Sequence, residues 1–101
     1  MNANFRKGDL IVTLTYRDGD LPTLDRARRD IRNYLQAISR YRKKQGMTAL
    51  QYIYVIEFVP EGAESRKVRI HHHLIMSKMD RDVAESKWTK GRCECKYAEP
   101  D

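Results

Sequence analysis

His71, His72 and His73 are the only three histidines of the chain, and they stand side by side in the run Val68-Arg69-Ile70-His71-His72-His73-Leu74-Ile75-Met76. Aliphatic and β-branched residues dominate that run, which predicts a strand whose alternate side chains face opposite sides. His71 and His73 then share one face, while Ile70, His72, Leu74 and Met76 share the other. Two neutral imidazoles two residues apart on one face suit a divalent metal ion. The same spacing also fits two ordinary half-buried strand histidines, so the rest of the chain has to decide.

A third donor lies upstream. Leu50–Val59 (Leu-Gln-Tyr-Ile-Tyr-Val-Ile-Glu-Phe-Val) reads as a strand, and Glu57 interrupts its apolar run beside the face-mates Ile53 and Val55. A partly covered carboxylate needs a partner, and a cation is one. The polar connection Pro60–Lys67 turns this strand back into the histidine strand as a hairpin. Glu57 is then expected roughly level with the histidines, completing one carboxylate and two imidazoles with open positions. An ion pair with a hairpin Arg or Lys is the plainer reading of Glu57.

These donors must be positioned by one small domain, residues 1–101, large enough for a single core. Charged residues make up 34% and aromatics 9%, a balance that predicts a folded, well-solvated chain rather than a disordered one. The formal net charge of +6 favours an acidic partner, and nucleic acid is the usual one. Cys93 and Cys95 are too close in sequence to staple a fold, which points to a reducing compartment. Met1–Asp9 is polar and no apolar run reaches membrane-span length, so a soluble cytoplasmic protein is expected.

Asp9–Tyr16 predicts a first strand, apolar on both faces through Leu10, Val12, Leu14 and Ile11, and therefore central in its sheet. Arg17–Pro22 is a turn. Thr23 is a helix N-cap with Asp25 in the first turn. Leu24, Ala27, Ile31, Tyr34, Leu35, Ile38 and Tyr41 form an apolar stripe, and Gly46 is the C-cap. The opposite face collects Arg26, Arg28, Arg29, Arg32, Arg40 and Arg42 with few acidic neighbours, a pattern that favours phosphate over a merely solvated face. Asp80 caps a second helix to about Lys90, closed by Gly91, with Val83, Ala84 and Trp88 inward. Arg92–Tyr97 alternates as a fourth strand.

The order β-α-β-β-α-β predicts the α+β ferredoxin-like arrangement, a four-stranded antiparallel sheet in the order 4-1-3-2 with two helices on one face. The helices would cover His72, Leu74 and Met76 together with Tyr52, Tyr54, Ile56 and Phe58. His71, His73 and Glu57 would converge on the open face. A zinc site joining the histidines to Cys93 and Cys95 is disfavoured. With the first strand between them, the sulfurs lie roughly 10 Å from the imidazoles at about 4.8 Å per strand, against a Zn–S bond of about 2.3 Å.

His71-His72-His73-Leu74, a first strand ending Leu14-Thr15-Tyr16 and the upstream Glu57 give the chain a family resemblance. It resembles the HUH endonuclease fold and, more closely, the rolling-circle replication initiators (Rep proteins) of phages and plasmids. The likeness spans nearly the whole chain, including the helix ending at Trp88 and Lys90-Gly91-Arg92. It implies that His71 and His73, with Glu57 as third ligand, hold Mg²⁺ or Mn²⁺ to polarise a scissile phosphate of single-stranded DNA. It also implies a tyrosine nucleophile that leaves a 5′-phosphotyrosine and a free 3′-hydroxyl. Arg28, Arg29, Arg32, Arg69, Lys90 and Arg92 are the cations expected on phosphates, and a bacterial or phage-infected cell is the expected setting.

Two departures from that pattern stand out. The middle motif residue, usually bulky and apolar, is His72, an inward polar group that needs a partner. The family's nucleophilic tyrosine lies on a helix after the fourth strand, and the expectation is that this chain ends before it. Tyr34, Tyr41, Tyr52 and Tyr54 are expected in the core, which leaves Tyr16 and Tyr97 as weak candidates. The alternative is a Rep-derived protein that binds a nucleic acid or nucleoprotein complex without catalysis, for example a phage-encoded inhibitor of host defence.

Overall fold

The structure, a computed structural model, describes residues 8–60 and 68–98, with the side chains of 60 and 68 excepted. Its elements are β1 (Leu10–Leu14), α1 (Leu24–Lys44), β2 (Tyr52–Pro60), β3 (Val68–Met76), α2 (Arg81–Ser86) and β4 (Cys93–Tyr97). The strands form one antiparallel sheet in the order β2-β3-β1-β4. This is the expected α+β, ferredoxin-like order, with β1 and β3 central. The hairpin connection at 61–67 lies outside the described residues.

Leu10, Val12 and Leu14 of β1, Ile70, Leu74 and Met76 of β3, and Cys95 of β4 pack in one cluster with Ala27, Ile31, Tyr34 and Ile38 of α1 and Ala84 of α2. One sheet face is thus covered by both helices. On the other, Ile11 and Val55 remain exposed.

α1 starts where Thr23 accepts a hydrogen bond from the Arg26 N–H at 3.2 Å. It stops at Gln45, one residue before the expected Gly46, which follows with φ of 69° and donates to the Lys43 carbonyl. Asp80 caps α2 by accepting from the Val83 N–H.

Four expectations are corrected. β1 is shorter than Asp9–Tyr16, because beyond Leu14 the chain leaves β3 and pairs irregularly with the segment before β4, through Thr15 N–H to Arg92 O and Arg17 N–H to Lys90 O. α2 ends at Ser86, not near Lys90, and Gly91 is no helix cap. A Cβ on Gly91 would lie 2.3 Å from the Thr15 carbonyl oxygen and 2.8 Å from the Arg17 nitrogen, so glycine is required for this close approach. Arg42 is not on the solvated helix face but buried, donating to the carbonyls of Thr48 and Lys78 and to the Thr48 hydroxyl. β2 runs Tyr52–Pro60 rather than Leu50–Val59 and is an edge strand. Its Tyr52 and Phe58 are 49% and 50% exposed instead of lying in the core, while Tyr54 and Ile56 are half-buried.

Candidate metal centre

The pairing of β2 with β3 sets Glu57 directly across from His71 and Val55 across from His73. Glu57, His71 and His73 therefore meet on the open face. Glu57 Oε1 lies 3.1 Å from His73 Nε2 and 3.4 Å from His71 Nδ1. One donor atom from each of the three falls within 4.8 Å of the others. Ligands of one ion with bonds of about 2.0–2.2 Å must lie within roughly 4.5 Å of one another, so the set fits an ion after small side-chain adjustments. Two imidazoles and one carboxylate leave positions open for water or a phosphate oxygen.

The electrostatics agree with that use. The hydrogen bond from His73, then the charges of both imidazoles, hold the Glu57 carboxyl below its ordinary range, so it stays anionic. His73 Nδ1 lies 3.5 Å from the Thr13 hydroxyl of the neighbouring strand. A hydroxyl can donate to that nitrogen or accept from it, so Thr13 can follow the ring proton when Nε2 takes a cation. Sequence reasoning missed Thr13, although its position across from His73 follows once β1 and β3 are paired antiparallel.

His72 points the other way and is fully buried. The Tyr54 hydroxyl lies 2.7 Å from its Nδ1 and the Tyr16 hydroxyl 3.0 Å from its Nε2. Tyr16 also donates to Asp30 Oδ2 at 3.1 Å. One assignment of protons satisfies every member. Tyr54 donates to Nδ1, the Nε2–H donates to Tyr16 and Tyr16 donates to Asp30. Arg26 offsets the buried carboxylate at 3.4 Å and grips Asp20 with two hydrogen bonds of 2.6 Å. Burial holds His72 neutral, its pKa lowered to about 4. The polar inward position thus has its partners, and Asp30 and Arg26 are participants the sequence pattern did not reveal.

The remaining candidates are dispersed. Arg69 shares the open-face phase of His71 and reaches Asp18 at 3.0 Å. Lys90 and Arg92 are exposed before β4, and Arg92 pairs with Glu94. Arg28, Arg29 and Arg32 are exposed on α1, in the layer on the far side of the sheet from the cluster. Tyr16 is buried, and burial together with Asp30 raises its pKa far above the usual tyrosine value. Tyr97 is half exposed, but it pairs with inward Leu10 and lies under the Arg81 guanidinium. Neither hydroxyl shares the face of Glu57. Cys93 and Cys95, with sulfurs 3.6 Å apart, are also on the helix side, so thiols and imidazoles are separated by the sheet itself.

The model of the replication-associated protein family, described by its ORF2 and gene 2 protein members, matches residues 9–100. The chain belongs to this family. Comparison with curated proteins and with solved structures gave no significant match. Residues 9–100 take in all six elements of the fold, so the replication-associated family assignment covers the sheet and its histidine strand together. Among the described residues, no helix is long and apolar enough to cross a membrane.

Proposed function

We propose that this chain is an HUH-type domain of a replication-associated protein, which holds Mg²⁺ or Mn²⁺ through Glu57, His71 and His73 and presents it to single-stranded DNA. The observation that carries the reading is the carboxylate of Glu57 set between two same-face imidazoles on an uncovered sheet. A bound divalent ion would supply Lewis-acid polarisation of a phosphate oxygen. The chain's own residues supply the rest. Glu57 contributes the negative charge, His71 and His73 bind as neutral imidazoles, and Thr13 holds the His73 ring. Arg69, on the same face, offers a cation to a neighbouring phosphate.

Covalent strand transfer needs a hydroxyl in line with that phosphate. All six tyrosines belong to the helix layer, to the helix side of the sheet or to its rim, so none is in place to attack. That placement favours the reading in which these residues recognise single-stranded DNA and do not nick it. A second reading, the Rep-derived binder of a nucleoprotein complex, shares the same face and differs in its partner.

The test is binding of a labelled single-stranded oligonucleotide with Mn²⁺ or chelator across a salt series, followed by a denaturing gel. Binding strengthened by metal and weakened by salt, without a DNA–protein adduct, is expected. An adduct lost on Tyr97→Phe or Tyr16→Phe would restore the nicking reading. Affinity absent at every salt concentration would assign the basic surface to a protein partner.

A further inference from the structure

A second surface lies on the side of the sheet away from the metal cluster. An open groove of about 460 Å³ runs along α1 at the free edge of β2, lined by Arg32, Leu35, Gln36, Ser39, Arg40 and Tyr52. Tyr52 is 49% exposed, an aromatic ring left accessible beside the groove. Arg32 and Arg40 stand eight residues apart on the same helix, roughly 12 Å along its axis at 1.5 Å per residue. Both are exposed, and among the described residues neither guanidinium has an acidic partner. Arg28 extends the row one turn earlier, and its charge reaches Tyr54 on β2.

Like charges four residues apart weaken a helix. Arg28 and Arg32 carry that cost without a described counter-ion, which is the signature of a polyanionic occupant. An exposed aromatic ring between two guanidinium groups suits a single strand specifically, with bases stacking on the ring and phosphates meeting the cations. We propose that this groove is a second binding site for single-stranded nucleic acid, with a base on Tyr52 and flanking phosphates on Arg32 and Arg40. The inference rests on the nucleic-acid reading above but not on the metal. A strand engaging both surfaces passes round the β2 edge, where Phe58 is also half exposed.

The test is fluorescence anisotropy of the full chain with a labelled oligothymidylate and its abasic counterpart. The variants are Arg32→Gln/Arg40→Gln, Tyr52→Ala and His73→Ala, with circular dichroism to confirm folding. The double arginine variant should bind at least about tenfold more weakly and lower the slope of log K against log salt by about 1.4, two single-strand phosphates. Tyr52→Ala should cost about fivefold or more on the normal strand and nothing on the abasic one. Unchanged affinity and slope in the arginine variant, or an equal Tyr52→Ala loss on both strands, would overturn the groove. So would a dimer dispersed by Tyr52→Ala without oligonucleotide. Silent groove variants with metal-dependent binding intact would remove the groove and leave the metal reading. Groove effects that persist while Mn²⁺ and His73→Ala have no effect would do the reverse. No binding by the wild type would remove both.

Discussion

Glu57 stands directly across from His71 in the β2–β3 pairing, with its Oε1 3.4 Å from His71 Nδ1. A strand register is specified only when one face is buried, since a one-residue slip turns every side chain over. Here the opposite face of β3 is pinned by Ile70, His72, Leu74 and Met76, all buried. The core on one side of the sheet therefore decides that the donors meet on the other.

The buried network beneath the cluster should matter to stability and not to metal. His72→Ala leaves a cavity and removes the partner of Tyr54, at a cost of about 3 kcal/mol in urea unfolding. His72→Leu refills the volume and should cost about 1–2 kcal/mol, because Tyr16 keeps Asp30 and half-buried Tyr54 can reach water. Equal losses for the two variants would mean that packing, rather than hydrogen bonding, is what His72 supplies.

Acid should weaken the fold through the same residue. In the unfolded chain His72 takes up a proton near its ordinary 6.5, whereas in the folded protein burial delays this to about 4. Its contribution is therefore complete above about pH 6.5 and is lost as pH falls toward 4, at about 1.4 kcal/mol per pH unit and roughly 3 kcal/mol at most. Asp20, held below the ordinary carboxylate range by Arg26, adds a loss of the same sign at lower pH. Unfolding free energies measured across this range should fall less steeply for His72→Leu, and an identical slope would exclude His72 as the cause.

Gly91→Ala should destabilise by at least about 2 kcal/mol, since the new methyl group meets the backbone of Thr15, Tyr16 and Arg17 rather than a side chain that can move. Thermal unfolding gives the answer. A neutral effect would show that the β1 end and the segment before β4 can separate freely.

Much of this arrangement was legible in the residues. The alternation of Val68–Met76 gave the strand and its faces, two caps began the helices at Thr23 and Asp80, and the apolar character of β1 made it central. What escaped was set by contacts that local pattern does not carry. Arg42 reads as a last-turn surface cation, yet its long side chain reaches three oxygen acceptors from beneath the surface. Tyr52 reads as core from strand phase alone, but it lies on an edge strand beside an open groove. Asp30 reads as one polar residue on a charged helix, and only the fold brings it to Tyr16. Arg28, Arg29 and Arg32 were placed with the metal face in one nucleic-acid surface, whereas helix and sheet put them on opposite sides.

The most direct measurement is calorimetric titration of the metal-free protein with Mn²⁺. Wild type and His72→Leu should bind one weak, exchangeable equivalent alike, because His72 faces the core. His73→Ala and Glu57→Gln should lose that binding at least about tenfold, as removal of one of three ligands demands. Binding retained in His73→Ala, or lost equally in His72→Leu, would contradict a metal centre built from Glu57, His71 and His73.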